Sequence, residues 1–309
     1  MELRNVGSSG LAVSAVGLGT MTWGRDVDEE NAREQLRIFV DAGGTLVSTA
    51  PRYGDGEAEA MLGGFIGDTV ARSELVLCAQ AGTVRSGRRM DVSRRGLLDS
   101  LDATLSRLQT GHLDLWLVPA AGTVPLEETL SAMETAYRSG RARYVGVADH
   151  SAWRFAQLAA TAGFPIVAHE TEYSLLARAA ERDVVPASAA LGAGLLAWAA
   201  LGRGVLTGKY RGRLPADSRG ASDLWAPYVS DYLTGHPERV TEALCTAARG
   251  LDVQPHELAL RWLLGRPGVS SALVGARTPV QLKEVLDTEL KPIATQINDV
   301  LDEVSAPGY

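Results

Sequence analysis

Two carboxylic acids and a phenol are the side chains of this sequence best suited to acid–base chemistry. Asp149 and Glu170 each stand at the end of a short apolar run, and Tyr53 lies in a glycine-containing stretch after a third run. When two carboxyl groups lie close together in a buried site, repulsion and burial raise the pKa of one of them and separate an acid from a base. Such a set could remove a proton beside a carbonyl group and protonate a leaving hydroxyl, which is elimination, isomerisation or cyclisation without net redox change.

Other catalytic chemistries lack the residues that they need. The sequence has no HxH, HExxH or clustered Cys/His spacing, so we predict no metal site. Ser48 has no identifiable histidine base, which argues against a serine nucleophile. Cys78 and Cys245 stand in apolar surroundings without CxxC spacing, and we expect them to be buried as small hydrophobic residues. His150 and His169 flank the two acids, but strand alternation turns His169 away from the side of its acidic neighbour.

Short apolar runs rich in Val, Leu and Ala recur about every 30 residues, and each is followed by an amphipathic stretch long enough for a helix. Nearly continuous apolar runs are typical of parallel strands buried on both faces, and eight of them close into a (β/α)8 barrel. We therefore predict an α/β protein with one TIM-type barrel domain over residues 1–309. The predicted strands are residues 15–19, 45–49, 75–80, 113–118, 144–148, 166–170, 194–198 and 271–275.

Three further segments complete the predicted architecture. Residues 3–13 place a Gly-Ser-Ser-Gly turn between two apolar ends, as in a β-hairpin. Residues 210–238 have weak patterning, contain the aromatic side chains of Trp225, Tyr228 and Tyr232 and exceed the usual loop length. We interpret them either as a lid over the barrel mouth or as an extra helix packed on the barrel. The tail, residues 291–304, has helical spacing.

Composition and charge exclude several kinds of partner. The net charge of −7 is spread without long runs, so we predict neither a nucleic-acid-binding face nor a basic membrane-binding surface. No apolar run reaches the roughly 20 residues of a membrane helix, and the N-terminus lacks the apolar core of a signal peptide. We therefore expect an unprocessed cytoplasmic protein whose partner is a small-molecule substrate.

The stretch from Ser48, Ser-Thr-Ala-Pro-Arg-Tyr-Gly-Asp-Gly, resembles the tyrosine-bearing signature of the aldo-keto reductases. Three later stretches are close to motifs of the same family in order and spacing, so the resemblance covers essentially the whole chain. They are Glu172-Tyr-Ser-Leu-Leu-Ala-Arg, Leu201-Gly-Arg-Gly-Val-Leu-Thr-Gly-Lys-Tyr and Leu273-Val-Gly-Ala-Arg-Thr-Pro. The resemblance implies a barrel with an N-terminal hairpin plugging its bottom and extra C-terminal helices.

Of the four catalytic residues that the resemblance implies, only the tyrosine, Tyr53, is kept. Ser48, Gln80 and Pro119 stand where the family has an aspartate, a lysine and a histidine. In the family the tyrosine protonates the carbonyl oxygen while NADPH delivers hydride, and the lysine lowers the pKa of the phenol, which is ordinarily about 10. Because an amide supplies no charge and proline no donor, we expect conventional carbonyl reduction to be very slow.

The same resemblance implies that NADP is held by two glycine-containing motifs, through backbone amides at the pyrophosphate and cationic side chains at the adenosine end. Trp198 occupies the aromatic position that stacks on the nicotinamide, although a core residue at a strand end fits equally well. Ala148, Asp149 and Glu170 replace the serine, asparagine and glutamine that contact the carboxamide in the family. The other implied cofactor-binding residues are Leu201, Gly202, Gly204, Lys209, Gly275, Arg277, Gln281 and Glu284.

Three functions remain open from the sequence. The leading hypothesis is a non-redox conversion of a small oxygenated metabolite, set in secondary metabolism, with Tyr53, Glu170 and Asp149 as catalytic groups. The second is an NADPH-dependent carbonyl reductase with a non-standard active site. The third is a catalytically inactive binding or regulatory subunit that has a protein partner. In a purely structural alternative, Asp149 caps the helix that follows it.

Overall fold

The computed structural model describes residues 1–82, 90–120, 124–216 and 218–306. In this part of the chain, eight parallel strands close into a barrel in chain order, with the last strand paired to the first. An antiparallel hairpin of β1 (Leu3–Asn5) and β2 (Ala12–Ser14) precedes the barrel. The barrel strands are β3 (Val16–Gly19), β4 (Leu46–Thr49), β5 (Val76–Gln80), β6 (Leu113–Pro119), β7 (Ala142–Ala148), β8 (Ile166–Glu172), β9 (Gly194–Trp198) and β10 (Val269–Val274).

Helices surround the barrel, and several begin at side chains that satisfy a free backbone N–H of the first turn. Asp28 accepts from Asn31, Ser93 from Gly96 and Thr278 from Gln281. The helices are α1 (Glu29–Asp41), α2 (Glu57–Phe65), α3 (Arg94–Arg107), α4 (Leu126–Arg138), α5 (Ala152–Thr161), α6 (Val184–Ala190), α7 (Ala226–Val229), α8 (His236–Gly250), α9 (Pro255–Leu264), α10 (Pro279–Leu286) and α11 (Thr295–Val304). No described helix is both long and apolar enough to span a membrane.

The predicted barrel, hairpin and C-terminal helices are confirmed, and each predicted strand overlaps an observed one with ends displaced by at most two residues. The tail helix begins later than predicted, at Thr295. Pro292 explains the difference, because a proline disfavours the helical conformation of the residue before it.

Apolar side chains from the hairpin fill one end of the barrel. Val6 and Val13 are fully buried and pack in one cluster with Leu46 of β4 and Leu115 of β6. Burial of these side chains removes apolar surface from water at about 25 cal/mol per Å². With the amino-terminal end of the barrel closed in this way, the opposite end, where the strands finish, is left for a binding site.

Helix α2 packs closely against the end of α3 at a glycine. A Cβ atom at Gly63 would lie 2.2 Å from the carbonyl oxygen of Arg107. We expect Gly63→Ala to lower the free energy of unfolding by about 1–3 kcal/mol, because the backbones must separate. Gly64→Ala is the matched control, since its Cβ would meet nothing within 4 Å. It should stabilise the helix by up to about 1 kcal/mol. Urea unfolding of both variants checks this, and equal shifts would contradict the packing explanation.

The described part of residues 210–238 forms turns, the short helix α7 with its buried Val229, and the first residues of α8, while residue 217 lies outside the described residues. Three contacts tie this segment to loops at the barrel mouth. Trp225 Nε1 donates to Asp26 over 3.1 Å, and the Tyr232 hydroxyl donates to Glu172 over 3.1 Å. Arg203 donates to the backbone oxygen of Tyr228 over 2.6 Å. The segment therefore covers part of the mouth, and its action as a lid stays a prediction.

Candidate functional site

A cavity of about 950 Å³ opens where the barrel strands end. Because parallel strands finish at the same face of a barrel, side chains from distant parts of the sequence converge there. The three predicted acid–base residues, Tyr53, Asp149 and Glu170, all line this cavity, together with Ser48 and Gln80. Pro119 instead lines a separate cavity on the outer side of β6 and β7.

A chain of polar contacts crosses the floor of the main cavity. The carboxyl group of Glu170 accepts a hydrogen bond from Nε2 of Gln80, whose Oε1 accepts one from the guanidinium of Arg52. The other Nη of Arg52 lies 3.5 Å from the hydroxyl of Tyr53. Sequence reasoning missed Arg52, although a cation directly before the tyrosine was visible in the signature stretch.

Burial determines the ionisation of this group. It raises the pKa of Tyr53 to about 12, while the charge of Arg52 acts in the opposite direction. Burial, together with the neighbouring carboxylate of Asp149, raises the pKa of Glu170 to about 7. The second oxygen of Glu170 is buried without a hydrogen-bond partner in the described structure. Both protonation states of Glu170 are therefore populated near neutral pH.

The raised pKa of Glu170 makes stability depend on pH. Its folded pKa of about 7 lies above the ordinary value of 4.5. The wild type therefore loses stability as pH rises through this window, because the unfolded chain ionises first. The Glu170→Gln variant cannot ionise at this position. We expect the difference in free energy of unfolding between this variant and the wild type to be roughly 2 kcal/mol more favourable to the variant at pH 8 than at pH 5. Urea unfolding at the two pH values measures the difference. Glu127→Gln, at an exposed position, is the control, and an equal gain at both pH values would contradict the pKa shift.

Asp149 faces the cavity and hydrogen-bonds to the predicted stacking residue. Its Oδ1 accepts from Nε1 of Trp198 over 2.8 Å, and its backbone has a φ of 56°. Partial enclosure raises the pKa of its carboxyl group. Helix α5 begins after Ser151, so the alternative in which Asp149 caps this helix is wrong. Trp198 lines the cavity and also packs against the apolar cluster inside the barrel, so its stacking on a planar ligand stays a prediction.

The two histidines lie outside the main cavity. His169 is fully buried and packs edge-on against Phe155 of α5, with ring centroids 5.0 Å apart, so it points away from the cavity as strand alternation predicts. Burial lowers the pKa of His150 and of His169 to about 4, which keeps both neutral. Cys78 and Cys245 are buried free thiols, as predicted. The described residues contain no cluster of three or more His, Cys, Asp or Glu suited to a metal ion.

The wall of the same cavity also contains cationic side chains and glycine turns, which are suited to binding phosphates. Gly202 is the exception among the implied cofactor-binding residues, because it is buried behind the wall and packs against Leu176. Sequence reasoning missed Arg219, whose Nε is buried without a hydrogen-bond partner in the described structure. A buried guanidinium nitrogen without an acceptor fits an anionic ligand. The implied residues that line the cavity are Trp198, Leu201, Gly204, Lys209, Gly275, Arg277, Gln281 and Glu284.

A closed parallel barrel with a polar cavity at its strand ends is the arrangement found in (β/α)8-barrel enzymes. Residues 15–306 match the aldo/keto reductase family. The chain is 32% identical to the probable voltage-gated potassium channel subunit beta of rice, covering 99% of this chain and 96% of that protein. It is 32% identical to Protein tas of Escherichia coli (99% and 97%) and 30% identical to aldo-keto reductase YhdN of Bacillus subtilis (100% and 97%). The protein belongs to the aldo/keto reductase family.

This membership overturns the leading hypothesis from the sequence. Members of the family are typically NAD(P)H-dependent oxidoreductases, and the similarity extends over nearly the full length of each relative. The prediction of a non-redox conversion is therefore wrong.

Proposed function

We propose that the protein is an NADP(H)-dependent oxidoreductase that reduces a small carbonyl compound and uses Tyr53 as its proton donor. The observation that carries this proposal is a single cavity whose wall contains Tyr53 together with the cationic side chains of Lys209, Arg219 and Arg277. A dinucleotide phosphate needs both kinds of group, cations for its phosphates and a proton donor beside its reactive ring. The cavity volume lies near the upper end of the range for ligand pockets.

The cationic residues of the cavity wall have the chemistry needed to bind the phosphates of the cofactor. Arg219 supplies the buried nitrogen without a partner, and α10 begins just after Arg277, where backbone N–H groups favour an anion. At Gly204, φ is 95°, and a Cβ would lie 3.3 Å from Nζ of Lys209. We assign Lys209, Arg219 and Arg277 to the phosphates, and Trp198 to one face of the nicotinamide.

The reaction needs one hydride and one proton. NADPH, held by the residues assigned above, would supply the hydride. The O–H of Tyr53 donates its proton to the carbonyl oxygen, which gives the alcohol and a phenolate that solvent reprotonates. A pKa of about 12 keeps Tyr53 protonated at neutral pH, as a proton donor must be. In this proposal the site is non-standard, since Ser48, Gln80 and Pro119 stand at the other three catalytic positions.

A titration with NADPH, followed by nicotinamide fluorescence, tests the proposal. The same titration with adenosine 2′,5′-bisphosphate measures the contribution of the adenosine end alone. We expect NADPH to bind more tightly than the bisphosphate, and an aromatic aldehyde to be reduced with oxidation of one NADPH per alcohol. Equal binding of the two ligands, together with no aldehyde reduction, would contradict the proposal. That outcome would favour a non-catalytic subunit with a protein partner, and the rice relative is named as a probable channel subunit.

A further inference from the structure

We propose that Arg52 provides the positive charge that stabilises the phenolate of Tyr53, a role that falls to a lysine at the position of Gln80 in the family. The inference rests on the proposed function and identifies a residue that the family motifs do not assign. Arg52 lies in the loop between β4 and α2, directly before Tyr53. Its Nη2 is 3.5 Å from the phenol oxygen, and its Cζ is 5.0 Å from the centre of the ring.

Among the charges that act on Tyr53, that of Arg52 favours ionisation of the phenol. Glu170, Tyr228 and Cys78 act against ionisation of the phenol, as does burial, whereas Arg52 favours it. Among the described residues, Arg52 makes no ion pair with a carboxylate, although the carboxyl groups of Asp149 and Glu170 also interact with its charge. Arg52 is exposed to solvent, which screens its charge, but its separation from the phenol oxygen is only 3.5 Å, so its charge favours a developing phenolate.

Gln80 holds the guanidinium in place. Its amide oxygen accepts from Nη1 of Arg52, and its amide nitrogen donates to Glu170. Because the amide has a donor side and an acceptor side, Glu170 fixes the orientation in which Gln80 can accept from Arg52. The planar guanidinium can direct one Nη to Gln80 and the other to Tyr53, which a single ammonium cannot do with the same geometry. Gln80 therefore does not supply the charge that a lysine would supply at this position. Instead, its hydrogen bond positions the charged guanidinium of Arg52.

The consequence for the chemistry is electrostatic. When Tyr53 gives its proton to the carbonyl oxygen, the phenolate forms next to a cation that cannot take part as an acid, because a guanidinium is not deprotonated in proteins. Arg52 transfers no proton. It acts through Tyr53 and is thus a positioning residue for charge, and its loss should lower kcat far more than it changes the KM for NADPH.

The test compares Arg52→Met, which keeps an unbranched apolar stem but loses the charge, with Arg52→Lys, which keeps the charge. The full-length protein is used, and the control is Arg154→Met, an arginine 5.9 Å from the ring of Trp153 and outside the main cavity. We expect Arg52→Met to lower kcat by about 10²-fold, Arg52→Lys to recover most of that loss, and Arg154→Met to behave as the wild type.

A second readout does not depend on turnover. With 3-fluorotyrosine at position 53, the fluorine NMR signal reports ionisation of this phenol. We expect Arg52→Met to raise the midpoint of its titration by about one pH unit or more. Arg52→Lys should largely restore the wild-type titration. An unchanged titration together with unchanged kcat in Arg52→Met would overturn the inference. If the titration shifts but no variant or wild type reduces a carbonyl, the coupling of Arg52 to Tyr53 stands and the proposed function fails.

Discussion

Replacing Tyr53 by phenylalanine is expected to lower kcat for aldehyde reduction by about 10²–10⁴-fold, the usual contribution of a positioned proton donor. The physical reason is that the hydroxyl is the group of the cavity floor that stays protonated at neutral pH and also lies beside a cation, Arg52. Phenylalanine keeps the ring, which packs against the large core cluster, so folding should be little affected. Steady-state reduction of an aromatic aldehyde with NADPH measures the loss.

The control for this substitution is Tyr144→Phe. Tyr144 belongs to the hairpin end of the barrel, where its hydroxyl approaches Gly10, and it packs with the apolar cluster there. This variant should keep wild-type kcat, and both variants should bind NADPH as the wild type does. If Tyr53→Phe retains full kcat, another group must donate the proton. Glu170 would then be the first candidate, since its pKa of about 7 makes it an acid at neutral pH.

Arg277→Met is expected to raise the Kd for NADPH by about 10–100-fold while leaving the Kd for NADH nearly unchanged. Hydrogen bonds to charged groups contribute about 1.5–3 kcal/mol, which corresponds to this range. The expectation depends on the place of Arg277 in the cavity wall just before α10, where a 2′-phosphate would also meet the positive end of the helix. Fluorescence titration of both dinucleotides gives the two constants.

Lys291→Met is the control for this substitution. Lys291 is exposed, pairs with Glu289, and neither residue lines the cavity. Its loss should change neither dissociation constant. A parallel fall in affinity for NADPH and NADH after Arg277→Met would mean that Arg277 binds a group that the two cofactors share, and the assignment to the 2′-phosphate would be wrong.

The barrel could be predicted from the sequence because its signal is local and repeated. Each strand is a nearly continuous apolar run, and burial on both faces of a parallel strand requires such a run. The ends of the elements were less certain, since hydrogen-bond pairing and prolines such as Pro292 decide them. The hairpin was predictable for the same local reason, because a Gly-Ser-Ser-Gly turn separates its two apolar ends.

The site was only partly predictable. Tyr53, Asp149 and Glu170 lie at strand ends or directly after them, and parallel strands bring such positions to one mouth. Arg52 and Arg219 were missed because their importance comes from where their guanidinium groups lie, beside a phenol and in a cavity wall. The motif predicts that Gly202 lies along the pyrophosphate, but Gly202 is buried beside Leu176 and is not among the residues that line the cavity.

The family, the barrel and nearly all of the candidate residues that line the cavity could be read from the sequence alone, because they follow from periodicity and from motifs that are continuous along the chain. The tertiary structure decided which charges act on one another. Arg52, Gln80 and Glu170 are separated by many residues, yet they form one chain of hydrogen bonds beneath Tyr53. Such contacts depend on distances of a few ångströms and on burial, and both arise only when the strands close into the barrel.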